Sequence, residues 1–343
     1  MTSAQEVEDA AGVGRSALIT GITGQDGMYL AEFLLARGYR VFGLLRGQNN
    51  PKRPTLERQL ADVHIITGDL LDVTGLMRAL AIAEPDEVYN LGAISLVAYS
   101  WENARLTTDV TGGGVLNMLE AVRFYQDMSG KEVRFYQASS SEMFGKAEET
   151  PQSESTRLWP RSPYAVAKAF GHYMTINYRE SYGMHATSGI LFNHESPRRG
   201  GEFVTRKISR AVARISLGLE DSLVLGNLKS KRDWGFAGDY VEAMYLMLQQ
   251  DEPDDYVIAT GTAHSVADLL DTAFAVVGID DWTPYVRIDQ ALMRPAEVDL
   301  LVGDAGKARA VLGWKPNVSF VELVEMMVRN DIERQSSGQE KIL

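Results

Sequence analysis

Tyr164 and Lys168 sit at positions i and i+4 behind Ser162-Pro163, and this pair most directly suggests chemistry. Ser162 suits an N-cap and Pro163 the first helical position, so a helix is expected to start there. On it, i and i+4 share one face. A free tyrosine titrates near ~10, and an adjacent ammonium favours its phenolate. Tyr164 is therefore expected to act as a base nearer neutral pH. The plain alternative is a buried Tyr and a surface Lys on an ordinary helix.

A second group of reactive side chains leaves the apolar run Val133–Tyr136. It reads Gln137-Ala138-Ser139-Ser140-Ser141-Glu142-Met143-Phe144-Gly145. A serine there can hydrogen-bond a substrate hydroxyl, and a Glu beside a carbonyl can take an α-proton or protonate a leaving hydroxide. A serine-rich turn with a solvated Glu is the competing reading. A third feature is Gly21-Ile22-Thr23-Gly24-Gln25-Asp26-Gly27, between the strand-like Ala17–Thr20 and a Leu-rich helical pattern. Gly21 permits a tight turn, Gly24 a close approach to phosphate, and Gly27 close packing of helix on strand. An anion then meets the free N–H groups of the helix N-terminus. The expected ligand is a dinucleotide. Arg46 ends the second strand where NAD enzymes usually carry an acid, which favours NADP through its 2′-phosphate. Asp69-Leu70 is a candidate adenine contact.

The elements that must position these groups are seven β-like runs. They are Ala17–Thr20, Arg40–Leu45, Val63–Thr67, Glu87–Leu91, Val133–Ala138, His185–Leu191 and Tyr256–Thr260. Most are separated by enough chain for a crossover helix. The class is α/β: a doubly wound parallel Rossmann sheet with a smaller mixed α/β substrate lobe. Ligands of such sheets bind at the carboxyl ends of strands, where Gly21, Asp69, Leu91, Ser139 and Asn193 fall. Residues 15–195 plus about 235–261 form the dinucleotide-binding domain; 196–234 plus about 262–343 form the lobe. A helix is expected at Gly238–Gln250.

The 343 residues include no cysteine, which removes thiolate catalysis and Cys-based zinc sites and fits a reducing cytoplasm. Residues 1–14 read as an acidic disordered tail, not a leader, and no apolar run is long enough to span a membrane. A net charge of −12 argues against nucleic acid as a partner. Locally, residues 198–232 hold nine Lys or Arg against three acids. That stretch is either a solvated face or a site for an anionic small molecule.

Together these residues resemble the extended short-chain dehydrogenase/reductase superfamily and, more narrowly, its GDP-mannose 4,6-dehydratase family. The resemblance runs from about Ala17 to Trp314 and rests on GITGQDG, FYQASSSEMFG, SPYAVAK, ILFNHESPRRG, FVTRKISRAVARI, LGNLKSKRDWG, DYVIATG and RPAEVDLLVGD. It implies a lyase that removes water from GDP-mannose with a catalytic set of Ser140, Glu142, Tyr164 and Lys168. It implies NADP held by Gly21, Thr23, Gly24, Gln25, Asp26, Gly27, Arg46, Asp69, Leu70, Leu91, Gly92, Ala93, Ser95, Tyr164, Lys168, His194 and Arg199. It also implies contacts to GDP-mannose from Asn193, Glu195, Lys207, Arg232, Arg294 and Glu297, with no metal. A homodimer or homotetramer is implied, its Ser196–Gly200 loop near a neighbouring cofactor site. The chain departs from the family pattern at three places. Ser140 stands where many members have Thr. Ile94 and Leu96 replace Gln and His, and Gly47 replaces a frequent second Arg. A reductase or epimerase of the same superfamily needs the Tyr/Lys pair but not the Glu, and a non-catalytic dinucleotide sensor needs neither.

Overall fold

The computed structural model describes residues 14–47, 49–292, 296, 298 and 300–338. Most of the expected tail, together with Arg294 and Glu297, lies outside the described residues. The strands of the large sheet are β1 (Ser16–Thr20), β2 (Arg40–Leu45), β3 (His64–Thr67), β4 (Glu87–Asn90), β5 (Arg134–Ser140), β6 (Ala186–Leu191) and, last in the chain, Asp255–Ile258. Their spatial order is β3-β2-β1-β4-β5-β6 followed by Asp255–Ile258, with every pairing parallel. This is the doubly wound arrangement, and the order reverses between β1 and β4.

The strands read as apolar runs because both faces are covered. Alternate residues enter different cores. Ala17 and Ile19 of β1, Val41 of β2, Tyr89 of β4 and Tyr136 of β5 join one core with the helix Gln25–Leu35 (α1). Leu18, Phe42, Val88 and Phe135 join the other, beneath Val73–Ala83, Gly114–Ser129 and Pro163–Tyr182. The helix expected at Gly238–Gln250 spans Ala237–Gln249 and packs in the first core.

The remaining strands are short and build two small sheets. Lys231–Phe236 pairs with Asn193–Glu195, Ala263–Ser265 and Leu300–Leu301, while Leu223–Leu225 pairs with Val286–Ile288. Helices Val204–Ser216, Val266–Ala275 and Phe320–Ser336 form a third core against them. The chain does not divide cleanly at residue 261. Ala305, Ala308, Leu312 and Trp314 return to the first core, where the Trp314 indole donates to the Asp239 carbonyl at 2.8 Å. Among the described residues, no helix is long and apolar enough to cross a membrane.

Candidate active site

At the carboxyl edge of the sheet, Thr20, Asn90 and Gln137 stand in register on β1, β4 and β5. The Thr20 hydroxyl donates to Asn90 Oδ1 at 2.7 Å, and Asn90 Nδ2 donates to Gln137 Oε1 at 2.8 Å. Gln137 Nε2 passes the chain on to the Ala138 carbonyl at 2.9 Å. This buried ladder ties together the strand ends that carry the reactive groups, as cross-strand polar pairs do.

Above the ladder opens a cavity of about 840 Å³, floored by the Gly21–Gly27 turn. Gly21 has φ +70°, and a Cβ there would lie 2.9 Å from Gly92 N. A Cβ on Gly27 would lie 2.5 Å from the Gly21 carbonyl oxygen. Side chains at either position would collide with backbone, so the turn depends on glycine. Gly24 is the N-cap of α1 and offers no side chain to the first turn. The N–H groups there suit an anion, and the cradle fits a dinucleotide diphosphate.

Helix Pro163–Tyr182 starts as expected, with Ser162 Oγ accepting from Ala165 N at 3.1 Å. It brings both Tyr164 and Lys168 into the cavity wall, buried. Lys168 Nζ donates to the Ala138 carbonyl at 2.7 Å. Burial draws the ammonium down to about 8, partly offset by the Asp26 charge. Tyr164 behaves differently from the expectation. Burial pushes its phenol up to about 12; a hydrogen bond from Ser140 lowers it and the Glu142 charge raises it. Lys168 Nζ lies 5.8 Å from the Tyr164 ring centroid.

β5 runs on to Ser140, and a single 3-10 turn, Ser141–Met143, follows. Ser140 Oγ caps that turn by accepting from Glu142 N at 3.2 Å. Glu142 is buried, not solvated, and its Oε1 lies 4.0 Å from Arg232 Nε. Arg232 is held by its own NH1, which donates to the Val298 carbonyl at 2.7 Å. Ser140, Glu142, Tyr164 and Lys168 thus face one cavity, together with Thr23, Gln25, Asp26, Arg46, Leu91, Ala93, Ser95, Asn193, His194, Glu195, Arg199, Lys207 and Arg232.

Asp69, Leu70 and Gly92 do not line it. Asp69 closes its own turn by accepting from Leu71 N at 2.9 Å, and Leu70 packs under Gly92 and Gly114. Leu96 lines the cavity, whereas Ile94 stands behind it with its N–H donating to Thr111 Oγ1 at 3.1 Å. The basic stretch is divided. Arg206 pairs with Asp331 and Arg214 with Glu220. Arg198 bridges Glu32 of its own chain with two bonds of 2.9 and 2.7 Å, and Arg199 reaches Glu195 at 3.1 Å. Lys207, whose Nζ donates to the Val224 carbonyl at 2.6 Å, and Arg232 line the cavity as Arg198 and Arg199 do.

Sequence reasoning passed over Ser141, which lines the cavity between Ser140 and Glu142, and over Asn50 and Lys52 beside Arg46. The rule that ligands meet strand ends was the available signal, since all three follow a strand of the large sheet.

A family model described as GDP-mannose 4,6 dehydratase matches residues 18–327. The chain is 55% identical over 335 residues to GDP-mannose 4,6 dehydratase 2 of Arabidopsis thaliana, covering 95% of this chain and 89% of that one. It is 47% identical to the human GDP-mannose 4,6 dehydratase, over 92% and 91% of the two chains. Among solved structures, UDP-glucose 4-epimerase of Thermus thermophilus in complex with NAD is similar at a TM-score of 0.78. It is 30% identical, covering 92% of this chain and 98% of that one.

Proposed function

The chain belongs to the GDP-mannose 4,6-dehydratase family, and we propose that the cavity over the Gly21–Gly27 turn is where it removes water from GDP-mannose. It is a hydro-lyase: GDP-α-D-mannose becomes GDP-4-keto-6-deoxy-α-D-mannose plus water. The convergence of Tyr164, Ser140 and buried Glu142 on one cavity carries the assignment of roles.

Tyr164 accepts the proton of the mannose 4-hydroxyl, and Ser140, in the same cavity wall, orients that hydroxyl and then polarises the ketone. A nicotinamide dinucleotide, when bound, supplies the acceptor for the C4 hydrogen with its electron pair and later the donor for C6. The 4-ketone acidifies the C5 hydrogen. Glu142 takes that proton as the C6–oxygen bond breaks and gives it to the leaving hydroxide, so that water departs; once C6 is reduced, C5 is reprotonated, and the proton first taken by Tyr164 closes the balance. Lys168, cationic beside Tyr164, favours the phenolate that accepts this proton. Asn193, Glu195, Lys207 and Arg232 hold the GDP end, the two cations pairing with diphosphate oxygens. Arg294 and Glu297 join them in this reading. Arg46, exposed at the cavity rim with Lys52 beside it, favours the 2′-phosphate of NADP.

The exposed apolar residues Val166, Phe170 and Tyr173 follow one another along one face of Pro163–Tyr182. Tyr99, Trp101 and Leu106 add to the exposed apolar surface of this half of the molecule. Such a surface suits a homo-oligomer, as a dimer or as a tetramer. The cysteine-free chain suits a reducing cytoplasm.

GDP-mannose carrying deuterium at C4, incubated without added reductant, should lose water and keep the label at C6 by mass spectrometry. Glu142→Gln should stop water loss and still bind dinucleotide. Near wild-type water loss by that variant overturns the role of Glu142; label washed into solvent overturns the whole reading.

A further inference from the structure

His194 is largely enclosed, its side chain 11% exposed, between a backbone carbonyl and a carboxyl group. Its Nδ1–H donates to the Phe192 carbonyl at 2.8 Å, and its Nε2 lies 2.9 Å from Asp26 Oδ2. A neutral imidazole carries one N–H and cannot donate to both. The proton between Nε2 and Asp26 Oδ2 sits on the imidazole or on the carboxyl, and the surrounding bonds favour the imidazole. Ser196 Oγ accepts from Arg198 N at 3.0 Å and donates to Gln25 Oε1 at 2.7 Å. The Gln25 amide nitrogen therefore faces away from Ser196. It donates to Asp26 Oδ1 and to the His194 carbonyl, both at 3.0 Å. Asp26 Oδ1 thus receives the Gln25 amide, which favours the carboxylate and leaves the shared proton on His194.

Asp26 stands in the first turn of α1, the turn that receives the dinucleotide diphosphate in the function proposed above. An unpaired carboxylate there would repel two phosphates at the place where the helix N-terminus attracts them. We propose that Asp26 holds His194 as an imidazolium whose task is to neutralise that carboxylate, so that the dinucleotide turn keeps its attraction for an anion. His194 is then a positioning and charge-compensating residue, acting through Asp26.

The surroundings agree. The ring stacks on Tyr240 with centroids 4.7 Å apart, a favourable seat for a cation. Burial and Arg199 work against the charge; Asp26 and the Phe192 carbonyl outweigh them and raise the imidazole above its ordinary range. Burial likewise opposes the Asp26 carboxylate, yet His194 with Gln25 holds it at about 2. The same pair ties the dinucleotide turn to the strand bearing Asn193 and Glu195, so one ionic contact joins the two halves of the cavity.

The role in binding rests on reading the Gly21–Gly27 turn as the dinucleotide site, and the test separates the two statements. Five histidines make selective ¹⁵N labelling practicable. In wild-type protein free of dinucleotide, His194 should give two nearly equal ring-nitrogen shifts, the pattern of an imidazolium. Widely split shifts overturn the proposal. Dinucleotide affinity is then titrated for His194→Gln and for the double variant Asp26→Asn/His194→Gln. His194→Gln should bind about tenfold more weakly or worse, and the neutral double variant should return to within about threefold of wild type. A double variant as weak as the single one leaves His194 a purely steric part and overturns the neutralising role. Should His194→Gln fail to fold, the wild-type shifts and a folded double variant decide by the same criteria. If wild-type protein binds no dinucleotide while the imidazolium pattern is present, the site reading falls and the neutralising role falls with it.

Discussion

At the N-terminal edge of the large sheet, the Glu87 carboxylate is fully buried and fully bonded. Tyr39 donates to it at 3.0 Å, Tyr89 at 2.8 Å, Gln249 at 3.0 Å and Arg15 at 3.2 Å. At the opposite edge, Lys168 is as deeply set but makes one hydrogen bond, to a backbone carbonyl. Both edges contain buried tyrosines whose phenols burial pushes up. The difference lies in compensation. A buried charge ringed by four donors holds shape, whereas the Lys168 ammonium, matched once, is drawn down by burial and is available for proton transfer. The two edges share strands, so the contrast does not come from the fold.

The sharpest way to break this comparison is Tyr164→Phe. Turnover should fall about 10³-fold, about 4 kcal/mol of barrier, while the thermal midpoint moves little. A variant that keeps wild-type turnover would show that the unmatched edge does no chemistry. Glu87→Gln should do the reverse. Denaturant unfolding should show a loss of about 3 kcal/mol, because three hydroxyl or amide donors and a guanidinium lose their common acceptor. Turnover per folded molecule should stay within about twofold.

Lys168→Met sharpens the same point through stability. The folded-state ammonium titrates at about 8, below its ordinary 10.5, so the folded protein carries a penalty while Lys168 is protonated. Removing it should stabilise the dinucleotide-free protein by about 2 kcal/mol at pH 7, though activity is lost. The Ala138 carbonyl keeps its bond from Gln137, so no acceptor is orphaned. The unfolded chain binds more protons than the folded one between about 8 and 10.5, and wild-type stability therefore gains on the variant across that interval. Thermal midpoints of the two proteins measured from pH 7 to 10 should converge; a constant gap would refute the buried-charge account. The smallest effect belongs to the solvated rim. Arg46→Ser should cut the preference for NADP over NAD about fivefold in a binding titration and leave stability unchanged.

Much of this was legible from residues alone. The seven strands of the large sheet were placed to within a residue or two, because a parallel strand buried on both faces is an apolar run bounded by turn residues. The Ser162 cap and the Gly21–Gly27 turn were equally plain, since both follow from local geometry. The short strands of two to six residues in the other sheets carry no such signal; partners distant in sequence make them strands. The return of Ala305–Trp314 to the first core has no local signature either, and neither does the turning inward of Asp331 to meet Arg206.

The amino-acid sequence by itself determined which groups can carry protons and which backbone turns can hold an anion, because residue type and near-neighbour spacing suffice for that. Only the tertiary structure decided their protonation. Desolvation and charge at Tyr164, Lys168 and His194 come from Ser140, Glu142 and Asp26, brought close from other strands and helices, and Coulomb energy depends on distance through space, not along the chain.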